Sequence, residues 1–330
     1  MSTMQQKRAT WALLLMTFIW GYTFIWIKSA LNAGDRLLGA EALPITVGLF
    51  MVIRFLGAAL ILPVALPAAR ERLTDPAVWR AGGVLSFFVL AGFLLQMFGM
   101  HGIDSATSAF LTSLYVVFTA IALAAWTRTL PSKTLIIGIA CATLGAGFIS
   151  GPPQLTFDLP EWLTVICAAA FAGHIIGTDY YTKRLPPLTI TLTTFVITGG
   201  CCALLFVVGW VRHGEIEAAQ VVTLLTDFEF LFPSVMCLVF GSVICLTIMN
   251  IYQRHLSPVR AAILFTLEPV WAALLALGAG QIEPDGWFLF GAGALLGGNL
   301  IVEVVPRLIG KPSPPAEAAE RSVALGADKG

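Results

Sequence analysis

Two stretches of the chain resemble each other, and their relationship indicates the fold. Residues 109–145 read AFLTSLYVVFTAIALAAWTRTLPSKTLIIGIACATLG, and residues 262–298 read AILFTLEPVWAALLALGAGQIEPDGWFLFGAGALLGG. They align without a gap at an offset of 153 residues, and the matched pairs are Ala109 and Ala262, Leu111 and Leu264, Leu114 and Leu267, Val117 and Val270, Pro131 and Pro284, Gly138 and Gly291, and Gly145 and Gly298. Apolar segments share Leu and Ala by chance, but the coincident proline and glycines are harder to attribute to chance. We therefore predict an internal repeat.

The composition of the whole chain indicates a membrane protein. Of its 330 residues, 58% are apolar and 12% are charged, whereas a soluble domain carries about 25% charged residues. So few charges cannot cover the surface of a soluble fold of this length. The composition excludes a disordered chain, a nucleic-acid-binding protein and most soluble enzymes.

No metal or cofactor is predicted from the sequence. The six cysteines fall inside apolar runs, and none has the spacing of a zinc site. The four histidines are scattered singly along the chain. We interpret the cysteines as small buried apolar residues.

Ten apolar runs have the length of membrane-spanning helices, since a hydrocarbon core of roughly 30 Å needs about 20 helical residues. They cover residues 10–31, 45–67, 81–100, 105–126, 134–151, 161–182, 188–210, 230–252, 258–279 and 287–305. The loops between them are short. The predicted fold is therefore an all-α integral membrane protein with ten transmembrane helices.

The distribution of Lys and Arg predicts the orientation of these spans. With the N-terminus inside, fifteen basic residues fall on the cytoplasmic side and three on the external side, with Arg54 left in the membrane. We therefore predict a multi-pass protein of the plasma membrane, the inner membrane in a bacterium, with both termini cytoplasmic. Residues 1–9 are the predicted cytoplasmic N-terminus, and residues 306–330 a disordered cytoplasmic tail.

The repeat maps spans 4 and 5 onto spans 9 and 10, so the repeating unit has five helices, residues 10–151 and 161–305. Because five is odd, the second copy must cross the membrane in the opposite sense. Inverted repeats of this kind are typical of secondary transporters, whose halves rock around a site near the bilayer midplane. The sequence therefore predicts transport by alternating access.

Several short motifs follow one another along this framework. The first span contains IWGYTF at residues 19–24, and the second contains IRF at 53–55. Spans 3 and 4 contain LLQ at 94–96 and SATSAFLTSL at 105–114, and spans 8 and 9 contain LSP at 256–258 and LEPV at 267–270. In their order and spacing they resemble the EamA-type permeases of the drug/metabolite transporter superfamily, over residues 10 to about 305. The resemblance implies an exporter or carrier of small metabolites, often amino acids, with a central cavity between the halves.

Arg54 and Glu268 are the charged residues near the middle of predicted spans. A charge at the bilayer centre costs roughly 2.5–3.5 kcal/mol on insertion scales, so both must face protein or water. Glu268 is either a cavity carboxylate that couples protons or contacts a substrate amine, or a structural charge that pairs with Arg54 or with backbone. Family members generally carry both residues, which favours a structural or gating role. Whether the two side chains pair is left open.

Two residues are candidates through their relation to Glu268. Tyr115 occupies the equivalent position in the first repeat, and it either faces substrate or is a core tyrosine with a local hydrogen bond. Pro269 removes a backbone donor and frees the carbonyl of Phe265. That interruption either contributes to a site or is a packing kink.

Four more side chains are candidates for lining the cavity. His174 lies near the centre of span 6, Gln96 in span 3 and Asn250 in span 8, and each either lines the cavity or is satisfied by packing and interhelical hydrogen bonds. Trp20 lies in the span that the family resemblance places at the cavity. Alternatively, Trp20 faces lipid or packs between helices.

The glycines of spans 5 and 10 are interpreted as helix-packing residues, because small residues allow close approach in membranes. Packing within one chain and packing across a homodimer are both open. The residues concerned are Gly138, Gly145, Gly291, Gly293, Gly297 and Gly298.

The leading hypothesis is a secondary carrier or exporter of a small organic metabolite, and not an enzyme. No GxxxxGK[ST] sequence occurs, so the driving force is a substrate gradient, a proton gradient or exchange. A zwitterion such as an amino acid would use both Glu268 and Arg54. The alternatives are an integral-membrane enzyme, for which His174 is the one base deep enough, and a non-transporting scaffold. The expected partners are the lipid bilayer and a small-molecule substrate.

Overall fold

The computed structural model describes residues 3–128, 131–148, 152, 157–278 and 285–308. This part of the chain is helical, with turns and without strands. The α-helices are α1 (Thr3–Leu38), α2 (Leu43–Ala65), α3 (Pro76–Gly102), α4 (Ser105–Ser113), α5 (Tyr115–Thr127), α6 (Lys133–Phe148), α7 (Leu159–Thr182), α8 (Pro187–Arg212), α9 (Ala218–Thr226), α10 (Phe228–Met236), α11 (Cys245–Tyr252), α12 (Pro258–Phe265), α13 (Glu268–Gly278) and α14 (Gly286–Leu308). A π-helical segment, Cys237–Ile244, joins α10 to α11.

The all-helical membrane class predicted from the sequence is confirmed. Eight helical stretches in the described residues are long and apolar enough to cross a membrane. Two shorter apolar helices, Lys133–Gly145 and Gly286–Gly298, lie where the sequence predicts the fifth and tenth spans. The count of ten spans therefore stays a prediction.

Several elements differ from the predicted boundaries. Helix α1 extends to Leu38, beyond the predicted end at residue 31, and α9 forms inside the predicted loop 211–229. Helix α14 continues to Leu308, into the first residues of the predicted tail. The rest of that tail, residues 309–330, lies outside the described residues.

Short polar residues begin several of the helices. Asp75 accepts a hydrogen bond from the backbone N–H of Ala77, and Asp104 accepts two at the start of α4. Ser257 accepts from the N–H of Arg260, although Pro258 takes the first helical position. A short acceptor before the first turn satisfies donors that have no intrahelical partner, so these residues fix where each helix starts.

Two of the predicted spans are broken at equivalent positions of the repeat. Helices α4 and α5 meet at Leu114, and α12 and α13 meet at Thr266 and Leu267. In both turns a hydroxyl donates to the carbonyl three residues back, Ser113 Oγ to Phe110 and Thr266 Oγ1 to Ile263, each at 2.7 Å. The two bonds are related by the offset of 153 residues. The turn itself is therefore a repeated feature of the fold.

The break near Pro269 has a different cause from the one the sequence suggests. Pro269 lies in the first turn of α13, where a backbone N–H has no intrahelical partner in any case. The equivalent residue in the first repeat is Val116, and that span breaks at the same place. The turn before α13 therefore breaks the span, and Pro269 fits into the first helical turn that follows it.

The most extensive helix pairings join the two halves of the chain: α2 packs along α8, α3 along α7 and α6 along α14. In the α6–α14 pair, a Cβ on Gly298 would lie 2.7 Å from the carbonyl oxygen of Gly138, and one on Gly145 would lie 2.6 Å from that of Gly291. These reciprocal contacts show that α6 and α14 run antiparallel, because the start of each helix meets the end of the other.

Candidate functional site

A cavity lies between the halves of the chain, and α1 to α5, α7 and α11 to α13 all contribute to its wall. Its volume, measured as the space open to the centres of water molecules, is about 50 Å³, which is room for a few waters. The lining residues are Trp20, Thr23, Phe24, Arg54, Val89, Phe93, Gln96, Thr112, Tyr115, Phe171, His174, Ile175, Leu246, Met249, Phe265 and Glu268. Aromatic rings and a few polar groups thus share one small space.

Arg54 lies on α2 and is 0% exposed. Its Nε donates to Ser242 Oγ at 2.7 Å, and its guanidinium carbon lies 4.0 Å from the ring centroid of Phe93. The two terminal nitrogens, Nη1 and Nη2, have no hydrogen-bond partner among the described residues. An arginine keeps its charge in a protein, so the cavity wall contains a cation without a complete set of partners.

The π-helical segment Cys237–Ile244 supports this part of the wall. Its Ser242 holds Arg54, and the carbonyl oxygen of Gly241 accepts the indole N–H of Trp20 at 3.1 Å. A Cβ on Gly241 would lie 3.2 Å from Arg54 Nη2, so glycine leaves room for the guanidinium. Short π-helical insertions are frequent at functional sites. This segment is hydrogen-bonded to Trp20 of α1 and to Arg54 of α2, so it connects both helices at the cavity.

Glu268 is the first residue of α13, and its side chain faces the cavity at 5% exposure. The part of the chain that the structure describes offers this carboxyl group no hydrogen-bond or ion-pair partner. Arg54 and Glu268 line the same cavity but form no salt bridge within 4.0 Å.

Tyr115, the counterpart of Glu268 in the first repeat, also begins a helix and lines the cavity. Its hydroxyl is buried and has no hydrogen-bond partner among the described residues. The tyrosine ring lies edge-on to Phe265, with 6.4 Å between the ring centroids. Equivalent positions of the two repeats therefore place a hydroxyl and a carboxyl group in one cavity.

The structure places three more of the predicted residues at the cavity. His174 of α7 is 4% exposed. Gln96 of α3 donates from Nε2 to Thr112 Oγ1 at 3.2 Å, which orients both polar groups. Trp20 lies edge-on to Phe265 at 5.7 Å between centroids. The neighbouring Gly21 allows α1 to touch α13, because a Cβ there would lie 2.7 Å from that of Trp271.

The remaining predicted residues lie elsewhere. Asn250 is buried, and its Nδ2 donates to Thr191 Oγ1 at 2.6 Å, so it joins α11 to α8 away from the cavity lining. Pro269 follows Glu268 but does not line the cavity. Gly293 and Gly297 do not pack against the described residues, since a Cβ on either would meet nothing within 4 Å.

Some lining residues were missed from the sequence. Thr112 and Phe265 are related by the repeat offset, as are Tyr115 and Glu268, so the repeat alignment contained a signal for both. Ser242, which accepts the hydrogen bond from Arg54 but does not itself line the cavity, gave no such signal, because a serine in an apolar helix cannot be distinguished from any small packing residue. Among the described residues, no group of three or more His, Cys, Asp or Glu side chains could hold a metal ion.

Both halves of the chain match one family of known proteins. The EamA-like transporter family matches the chain over residues 7–151 and again over residues 159–304. A protein of Archaeoglobus fulgidus described as an uncharacterized transporter is 24% identical over 272 residues, which is 80% of this chain and 76% of that protein. A solved crystal structure covers 89% of this chain and 98% of its own, with a TM-score of 0.59 and 15% identity. That likeness concerns the fold alone. The cavity lies between the two matched segments.

Proposed function

Because the chain belongs to the EamA-like transporter family, we propose that it is a secondary carrier that exports small metabolites such as amino acids by alternating access. The observation that carries this proposal is the cavity shared by the two matched segments. It combines a guanidinium, a carboxyl group, an imidazole and several aromatic rings. A mixed lining of this kind suits a small molecule with charged and apolar parts.

The size of the cavity supports a mechanism with more than one conformation. A volume of about 50 Å³ admits a few waters, so the cavity must widen to admit a metabolite. The pairings α2–α8, α3–α7 and α6–α14 join one half of the chain to the other. Rocking of one half against the other would open the cavity to one side of the membrane and then to the other.

We propose that the chain crosses the bilayer ten times, as two inverted repeats of five helices. The antiparallel contact of α6 with α14 supports this topology, because equivalent helices of an inverted repeat run in opposite senses. The matched breaks at Leu114 and Leu267 support the repeat itself. The distribution of Lys and Arg favours cytoplasmic termini, and we place the protein in a bacterial inner membrane.

Glu268 is the group we propose for proton coupling, and His174 is a second titratable group that lines the same cavity. Both side chains are buried in the cavity. The described residues offer neither one a hydrogen-bond partner. A carboxyl group that faces water in one state and protein in another can bind and release a proton as the carrier turns over. Export driven by proton entry is the coupling that this arrangement supports best.

The experiment that tests the function is efflux from proteoliposomes. Purified protein is inserted into vesicles loaded with a mixed pool of amino acids and other metabolites, and mass spectrometry follows the loss of each compound with and without a pH gradient. We expect selective loss of one compound class, faster with the gradient. Covalent conversion of a compound would indicate an enzyme, and absence of any selective loss from folded, inserted protein would contradict the carrier.

A further inference from the structure

We propose that Arg54 is the group that binds a carboxylate of the transported molecule, with Ser242 as the residue that positions it. This inference rests on the proposed transport function and deepens it, because it names the chemical group that the cavity recognises. The supporting observation is geometric: the fully buried Arg54 lines the cavity, and its two terminal nitrogens have no hydrogen-bond partner among the described residues.

The incomplete pairing of Arg54 contrasts with another basic residue of the same bundle. Lys28 of α1 donates from Nζ to the carbonyl oxygens of Met100, His101 and Ile103, at 2.8, 3.1 and 3.0 Å. That ammonium group has three acceptors for three donors. Within the described residues, Arg54 has one hydrogen bond, to the neutral hydroxyl of Ser242. A cation that served only to hold helices together would be expected to have its donors satisfied, as Lys28 has.

Among the described residues, none that contacts the guanidinium of Arg54 carries a negative charge. Phe55 and Phe93 lie beside the guanidinium, and the thiols of Cys237 and Cys245 are nearby. Glu268 is in the same cavity but does not form a salt bridge with it. A buried charge is expensive without a counter-ion, so the site is suited to an anion that arrives with the substrate.

The donors of the guanidinium that lack a partner indicate the chemical class of that anion. Ser242 accepts a hydrogen bond from Nε, and the guanidinium carbon lies 4.0 Å from the ring centroid of Phe93, while the described residues offer Nη1 and Nη2 no hydrogen-bond acceptor. Two parallel N–H donors on one planar group match the two oxygens of a carboxylate. The aromatic lining beside them suits an apolar side chain on the same molecule. Together they indicate a carboxylate-bearing metabolite over an amine without an acid group.

Matched ligands test this proposal on the unmodified protein. The probes are the twenty common L-amino acids and their carboxamides, which have nearly the same size but lack the negative charge. Thermal unfolding of the purified protein is measured against each probe at several concentrations. We expect at least one acid to stabilise the protein, and its carboxamide to bind about 10- to 100-fold more weakly, the range expected from losing a charged hydrogen-bonded pair. Equal binding of acid and carboxamide, or no stabilisation by any acid, would overturn the proposal.

Three variants and one control variant separate binding from folding. Arg54→Gln should lose the preference for acid over carboxamide, and Arg54→Lys should regain part of it, because it restores the charge without the planar pair of donors. Ser242→Ala should reduce acid binding more than carboxamide binding, which a merely structural serine would not do. Arg212→Gln, an exposed arginine at the end of α8, is the matched control and should keep the wild-type preference. If Arg54→Gln does not fold, the Ser242→Ala comparison and the wild-type comparison still decide.

The experiments distinguish a failure of the proposed carboxylate site from a failure of the proposed transport function. Acid-selective binding without efflux of any acid from proteoliposomes would support the carboxylate site and contradict the carrier. Efflux of compounds that carry no acid group, with acid and carboxamide bound equally, would support the carrier and overturn the role of Arg54.

Discussion

The α6–α14 contact makes a sharp prediction, because two adjacent glycines of α14 have opposite surroundings. A Cβ on Gly298 would lie 2.7 Å from the carbonyl oxygen of Gly138 and 2.8 Å from the backbone nitrogen of Ala142. A Cβ on Gly297 would meet nothing within 4 Å. The variants Gly298→Ala and Gly297→Ala therefore add the same methyl group to neighbouring positions of one helix, against backbone in one case and open space in the other.

The expected magnitudes follow from these distances. Overpacking of a well-packed contact costs about 1–3 kcal/mol, and the obstructing atoms here belong to backbone, which cannot rotate away. Replacing glycine by alanine within a helix gains up to about 1 kcal/mol. Gly298→Ala should therefore lose about 1–2 kcal/mol of stability, whereas Gly297→Ala should gain up to about 1 kcal/mol.

Thermal unfolding in detergent, followed by tryptophan fluorescence, measures both variants. At about 2 °C per kcal/mol for a chain of this size, Gly298→Ala should lower the midpoint by about 2–4 °C, and Gly297→Ala should leave it unchanged or raise it. Equal midpoints for the two variants would refute the proposed contact. A loss confined to Gly297→Ala would show that its surface is covered by something other than the described chain.

Three further predictions concern charges at the cavity and at helix ends. Glu268→Gln should abolish the dependence of efflux on a pH gradient while the protein stays folded, and Glu268→Asp should retain it; an unchanged pH dependence in folded Glu268→Gln would exclude the coupling role. Lys28→Met should lower the unfolding midpoint, because buried acceptors left without a donor cost about 1–3 kcal/mol each, whereas Lys28→Arg should restore most of the stability. A Lys28→Met protein as stable as wild type would contradict a stabilising role for the three hydrogen bonds of Lys28. The hydrogen bond from the backbone N–H of Ala77 lowers the pKa of Asp75, and Arg72 lowers it further. The stability that the ionised Asp75 contributes is therefore complete above the ordinary pKa of an aspartic acid and is lost as the pH falls through the lowered pKa. Asp75→Asn should reduce this loss of stability at acid pH, as measured by unfolding midpoints over a pH series.

Much of the fold could be predicted from the sequence, because membrane helices are set by simple physical requirements. The apolar runs locate the spans, since every backbone polar group in a bilayer must be satisfied within a helix. The offset of 153 residues also relates the Ser113 and Thr266 turns, although the sequence predicted continuous spans at 105–126 and 258–279 and suggested an interruption only at Pro269. The alignment could not give the cause of the two breaks. Proline at 269 is the residue expected to break a helix, whereas a hydroxyl that bonds to the carbonyl three residues back is not recognisable in the sequence.

The site was less predictable than the fold. Polarity at membrane depth identified Arg54, Gln96, His174 and Glu268, since such groups are rarely placed there without a partner or a cavity. The same criterion selected Asn250, which instead finds Thr191 on a neighbouring helix. Hydropathy gives depth along a helix, but the direction in which a side chain faces depends on packing angles that a single sequence does not encode. Ser242 depends on the π-helical segment, which has no sequence signature.

We expect the transported molecule to pass through the cavity between the two halves. Val89 lines this cavity and is 1% exposed, while Val84 lies on the outer surface of the same helix and is 40% exposed. The decisive measurement is efflux of metabolites from proteoliposomes that contain wild-type, Val84→Phe or Val89→Phe protein. We expect Val84→Phe to keep the wild-type rate and folded Val89→Phe to lose at least about tenfold, because the ring fills the space that the substrate needs. A wild-type rate of efflux through folded Val89→Phe protein would show that the substrate takes another path.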